Sequence, residues 1–199
     1  MISKPKLFAR YDPLAKADLL FSQTFEETAD ETLTIRPVWI IGDLPIIYDW
    51  LSSDLCKTNW QLNQSHMAVM QHYKQMLLSE NLQSLMIEQN HKPVLQIDLL
   101  PLRLTDYPGQ LEFTETDYVI HYLYRESFRD PDMFKRGLEC MLLYLFSYPD
   151  TGNLYIRLQK ADLLRQKLLQ QMGFELVHLN NFFGKSLNIY RIKRLGIRF

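Results

Sequence analysis

An aspartate and a histidine four residues apart, in Asp117-Tyr118-Val119-Ile120-His121, are the side chains whose types and spacing first suggest chemistry. In a strand, side chains alternate between faces, so residues 117, 119 and 121 share one face. The carboxylate and the imidazole then point the same way without touching. An imidazole changes charge near neutral pH and can take a proton from an attacking nucleophile; the plainer reading of a lone strand histidine is a residue of the core or of the surface. Aromatic residues Trp50, Trp60, Tyr118, Tyr122 and Tyr124 either line an apolar substrate channel or pack the core and sheet faces, and packing is the commoner role for any one of them. Cys56 and Cys140 have neither the number nor the spacing of a disulfide framework or a metal site, so reduced thiols and no metal are expected.

Positioning such residues requires an ordered sheet, and the chain alternates strand and helix signals. Thr32 to Trp39 is β-rich, and Asp43-Leu44-Pro45 reads as a helix start with the helix running to about Leu55. Ser65 caps a second helix whose buried face is Met67, Met70, Tyr73, Met76 and Leu77. Leu82 to Glu88 and Pro93 to Leu100 form a hairpin around Gln89-Asn90-His91-Lys92. Asp117 to Tyr124 is a strand, and Pro131 to Tyr148 is a helix burying Phe134, Leu138, Met141, Leu142 and Leu145. Asn153 to Leu158 is a strand, Ala161 to Met172 a helix stopped by Gly173, and Phe174 to His178 with Ser186 to Ile192 a last strand pair. The order is that of an α+β domain with a mixed central sheet flanked by helices.

At 199 residues, with 47% hydrophobic and 23% charged residues, the chain is long enough for one sizeable core. Residues 1–31, ending in the acidic run Glu26 to Glu31, read as an N-terminal extension to a domain at 32–199. A net charge of −1 gives no overall attraction to nucleic acid or to an anionic membrane, and the basic tail (Lys185, Arg191, Lys193, Arg194, Arg198) reads as a solvated strand edge. No apolar leader is seen at the N-terminus and no stretch approaches the roughly 18 apolar residues of a membrane span, so a cytoplasmic protein is expected.

Six short motifs in order resemble those of the GNAT (Gcn5-related N-acetyltransferase) fold, in its siderophore-biosynthesis lysine N-acyltransferase branch. They are Asp43-Leu44-Pro45 with Tyr48 to Leu51 and Asn59-Trp60; Pro93 to Asp98; Asp117 to His121; Arg136-Gly137; Met172-Gly173-Phe174; and Gly184 to Leu187. Together they span roughly Pro37 to Lys193. The resemblance implies transfer of an acyl group from acyl-CoA, acetyl or longer, to a small-molecule amine or hydroxylamine. A homodimer is an assembly it allows.

The resemblance also implies a site. His121 would be the base or substrate-orienting residue beside Asp117, and Tyr190 a donor to the leaving thiolate. The thioester would lie against Tyr122, Leu123 and Tyr124, with Lys135, Arg136, Gly137 and Leu138 around the pyrophosphate at a helix start. Trp60, Gln96, Asp98 and Lys185 would contact the acceptor. Three positions depart from the pattern: Glu139 stands where a second glycine is expected, and Arg157 and Gln159 where aspartates are expected. Asp162 is then a displaced acidic partner or, more plainly, a helix cap. A second reading follows, a GNAT-fold protein with a degenerate cofactor site that binds without catalysis; a third is an acyltransferase for amines outside siderophore pathways.

Overall fold

The computed structural model describes residues 7–25, 32–52, 65–106, 111–124, 131–182 and 185–196, with backbone alone for 180–182, 185 and 196. Among the described residues, eight strands and four α-helices follow one another as β1 (Phe21–Thr24), β2 (Thr32–Pro37), α1 (Ile40–Leu51), α2 (His66–Leu78), β3 (Gln83–Gln89), β4 (Lys92–Pro101), β5 (Tyr118–Tyr124), α3 (Pro131–Phe146), β6 (Leu154–Gln159), α4 (Leu163–Gln171), β7 (Glu175–Phe182) and β8 (Lys185–Ile192). The strands form one mixed sheet in the order β1-β2-β3-β4-β5-β6-β8-β7. β1, from within the first 31 residues, pairs antiparallel with β2 and supplies an edge strand that the sequence did not announce. The chain divides into two compact units, Met1–Asp98 with Tyr122–Asp130, and Leu99–His121 with Pro131–Phe199.

In the first unit, α1 and α2 bury Ile47, Trp50, Val69, Tyr73 and Leu77 in one apolar cluster that includes Met86 of β3 and Leu123 of β5. Trp50 is therefore core. α1 starts at Ile40 rather than at Asp43, because Asp43 works from inside the first turn: its Oδ2 accepts the backbone N–H of Trp39 at 2.7 Å. The same carboxylate takes a two-pronged bond from the Arg36 guanidinium, 2.6 and 2.8 Å, while Arg36 also donates to Glu88 at 2.7 and 2.9 Å. Burial alone would lower the Arg36 pKa, but the bonds to Asp43 and Glu88 outweigh it and hold the group above its ordinary value. The expected end of α1 near Leu55 lies outside the described residues. Ser65 caps α2 by accepting from Ala68 N–H, as expected, but Met67 is exposed and the buried stripe runs through Val69, Tyr73, Met76 and Leu77. Asn90 and His91, both at positive φ, form the two-residue connection between β3 and β4.

In the second unit, β6, β8 and β7 pair antiparallel, with a register shift between Leu176 and His178. α3 buries Phe134, Leu138, Met141, Leu142 and Leu145 as expected, and Cys140 with them, whose thiol burial pushes up to about 12. α4 is capped by Asp162 and stopped at Gly173, whose φ of 94° suits glycine.

Candidate active site

β5 and β6 pair in parallel at three positions, Tyr118 with Leu154, Val119 with Tyr155 and Ile120 with Ile156, and the ladder ends there. Both strands continue. His121 is therefore the first β5 residue past the ladder, facing the level of Arg157 on β6, and it is half-buried. A parallel pair that stops short exposes backbone donors and acceptors that an extended ligand can use.

Asp117 ends up elsewhere. It sits just before β5, about 13 Å along the chain from His121 at strand rise, and it is 1% exposed. Its oxygens accept the Asn153 N–H at 2.9 Å, Asn153 Nδ2 at 3.0 and 3.2 Å, the Thr114 hydroxyl at 2.8 Å and, at longer range, Thr114 N–H and the Tyr155 hydroxyl. These bonds tie the start of β5 to the start of β6. Gly152 has to be glycine beside this anchor, since a Cβ there would lie 2.4 Å from Asp117 Oδ1. Burial, and then the Asp117 charge, raise the Tyr155 pKa.

Tyr190 is 1% exposed and donates its hydroxyl to Gln166 Oε1 at 2.9 Å. Asn188 Nδ2 donates to the same oxygen at 2.8 Å, and Gln166 Nε2 donates to the carbonyls of Gln159 at 3.0 Å and Lys160 at 2.9 Å. One amide thus clasps β8 to the β6–α4 turn. Asp162 accepts the Arg165 N–H at 3.2 Å and pairs with the Arg165 guanidinium at 2.6 Å, so the helix-cap reading of this residue is the one its bonds describe. Gln159, Lys160, Ala161 and Ser186 line an open depression of about 530 Å³ at this end of β6.

No family model matches the sequence, and no curated protein matches it. Solved structures do. An uncharacterized protein from Bacillus halodurans superposes with a TM-score of 0.78 at 17% identity, covering 93% of both chains. The aminoglycoside acetyltransferase AAC(6')-Ib, solved with coenzyme A, gives 0.70 at 17% identity over 82% of this chain and 96% of its own. A spermidine N-acetyltransferase SpeG chimera from Vibrio cholerae and hSSAT gives 0.68 at 14%, over 82% and 96%.

The chain has the GNAT acetyltransferase fold.

Within this GNAT fold, the segment read as a pyrophosphate turn proves to be helix interior. Lys135, Arg136, Gly137 and Leu138 occupy the second turn of α3, whose first residue is Pro131; Gly137 and Leu138 are buried. Glu139 lies two turns in, about 12 Å from the helix start at 1.5 Å per residue. It is 6% exposed and pairs with Lys135 at 3.3 Å, so it does not oppose an anion at the helix N-terminus. The sequence reading took Arg136-Gly137 as a turn, and in the structure both residues lie within the helix. The first residue of α3 is Pro131, and a helix start is the end at which backbone N–H groups and the helix dipole favour an anion.

Tyr122 and Tyr124 on β5 are half-buried and stack at 6.0 Å, whereas Leu123 between them points into the first unit's core. Gln96 and Asp98 are buried in that unit and bonded to Ser84. Trp60 lies outside the described residues, as does the Lys185 side chain. Gln166 was missed by sequence reasoning; a glutamine in a short helix carries no pattern of its own. Among the described residues, no helix is long and apolar enough to cross a membrane and no three His, Cys, Asp or Glu side chains gather around a metal position.

Proposed function

We propose that this chain is an acyl-CoA-dependent N-acyltransferase that acylates a side-chain amine or N-hydroxyamine in siderophore biosynthesis. The observation that carries this reading is the β5–β6 ladder ending at Ile120 and Ile156, with His121 next in line. The GNAT-fold neighbours solved with coenzyme A support the choice of acyl donor. The acceptor class rests on the motif resemblance.

In this reading acyl-CoA supplies an electrophilic thioester carbonyl. The open edge of β5 beyond Ile120 offers backbone N–H groups to hold that carbonyl, where charge develops as the nitrogen attacks. His121 takes the proton the nitrogen loses on becoming an amide. The pyrophosphate lies toward the start of α3, beside Lys135 and Arg136. Tyr190, committed to Gln166, leaves protonation of the departing thiolate to solvent, and Asp117 holds the two strand starts in place. The protein is cytoplasmic, with residues 1–31 an extension on the 32–199 domain.

The second reading, a GNAT-fold binding component without turnover, is favoured by Arg157 and Gln159 in place of the aspartates of the resembled enzymes. Thiol release from acetyl-CoA in the presence of lysine, N6-hydroxylysine or a short diamine tests the first reading directly. Turnover that falls in His121→Ala supports it. Tight acetyl-CoA binding with no turnover on any amine selects the second, and turnover confined to amines other than lysine derivatives removes the siderophore assignment.

A further inference from the structure

Val119 on β5 and Tyr155 on β6 share one apolar cluster, so the side chains two residues further along each strand, His121 and Arg157, return to that same face. Gln159, two residues beyond Arg157 and about 7 Å from it at strand rise, is on that face as well. There β6 runs out into the open depression of about 530 Å³ that Gln159, Lys160, Ala161 and Ser186 line. A file of polar side chains thus leads from the histidine to the depression, all of it within the second unit.

The depression presents donors rather than acceptors. The carbonyls of Gln159 and Lys160 already accept from Gln166 Nε2, and Lys160 N–H donates to the Ser186 carbonyl at 3.0 Å, so the backbone of the turn is committed. Asp162, next along the turn, is paired with Arg165 at 2.6 Å. The lining side chains bring an exposed ammonium from Lys160, a hydroxyl and an amide, and Arg157 adds a half-buried guanidinium up the strand. Two of these four groups are cations and none is an anion.

Charge of that sign acts on an amine in two ways. It disfavours a second ammonium nearby, and it lowers the pKa of a nitrogen beside His121, which has to be uncharged to attack. A carboxylate on the same molecule offsets the repulsion and takes charge-assisted bonds from lysine and arginine.

We propose that the depression, with Arg157, binds the carboxylate of an acceptor whose amine lies at His121, so that the acceptor carries an amine and a carboxylate at opposite ends of one chain and is not a plain diamine. The place of the amine rests on the acyltransferase reading; the anion site does not.

Calorimetric titration of the full chain in the presence of coenzyme A tests it with 6-aminohexanoate, hexylamine and 1,6-diaminohexane. The three probes share an alkyl amine and differ at the far end, which is negative, neutral or positive. 6-Aminohexanoate is expected to bind at least roughly tenfold tighter than hexylamine, and 1,6-diaminohexane no tighter than hexylamine. Lys160→Met and Arg157→Met should each cut that preference severalfold. If Arg157→Met does not fold, as read by circular dichroism, Lys160→Met, at an exposed position, carries the comparison. Equal binding of the three probes, no saturable binding, or a preference unchanged in the folded variants overturns the proposal. Coenzyme A affinity lost in Lys160→Met at an unchanged preference gives the cations to the donor's phosphates and overturns it too. Thiol release from acetyl-CoA at equal efficiency with all three probes removes this proposal alone. A carboxylate preference in binding, with no thiol release on any amine, removes the acyltransferase reading and leaves the anion site.

Discussion

The hydroxyl of Tyr190 and the side-chain amide of Gln166 are bonded at 2.9 Å with Tyr190 1% exposed, so the phenol serves as a strut between β8 and α4. Tyr190→Phe should therefore keep turnover within a few-fold of wild type while losing about 0.5–1.5 kcal/mol of stability. Gln166→Leu should cost more, about 1–3 kcal/mol, because the Tyr190 hydroxyl and Asn188 amide are then buried without an acceptor. Urea unfolding of both variants beside steady-state kinetics checks the pair. A large fall in kcat for Tyr190→Phe at unchanged stability would return the tyrosine to the chemistry.

His121→Ala should lower kcat by roughly 10²–10⁴, the span of a lost general base, with little change in Tm because the side chain is half-buried at the end of the ladder. A fall in Tm matched by the fall in activity would make it a packing residue.

Glu139→Gly should leave acetyl-CoA affinity unchanged, since the carboxylate is two turns from the helix start and paired with Lys135. It should lower stability by about 1 kcal/mol for a glycine inside a helix, with a further loss from the void. Calorimetry and thermal unfolding of the same preparation read both effects, and tighter acetyl-CoA binding would contradict the placement of Glu139.

Arg36→Met removes one guanidinium from between Asp43 and Glu88, leaving two buried carboxylates uncompensated. A loss of about 3–5 kcal/mol is expected, as for a broken buried ion pair, measured by urea unfolding. The change should also loosen the start of α1, where Asp43 holds Trp39 N–H.

Asp98 gives the protein a pH signature of definite sign. Its folded pKa is raised, chiefly by burial, so its contribution to stability is fully present below the ordinary carboxylate pKa and is lost as pH rises through the raised value. Unfolding free energies of wild type and Asp98→Asn from pH 4 to 8 should diverge with rising pH, wild type falling relative to the variant by at most about 1.4 kcal/mol per pH unit. Parallel curves would show that Asp98 titrates normally.

From β2 onward, periodicity and turn signals determined the succession of elements, because each strand and helix has to bury one face and the spacing of Leu138, Met141, Leu142 and Leu145, or of Tyr73, Met76 and Leu77, records which face that is; β1, within the stretch read as an extension, was not among them. Local chemistry also marked the ends that depend on a single side chain: Ser65 and Asp162 cap their helices, and Gly173 stops one. Where the outcome depended on a distant partner, sequence could not decide it. Asp43 looked like the residue before the helix and became, from inside its first turn, the anchor of Arg36 seven residues back on β2; Asp117 looked like half of a catalytic pair and became the hub of Asn153 and Thr114; Arg136-Gly137 looked like a phosphate turn and lies inside a helix begun at Pro131. A carboxylate or a glycine has the same local appearance in either role. Only the tertiary structure chooses, because desolvation obliges each buried polar group to find whichever donor the fold brings within 3 Å.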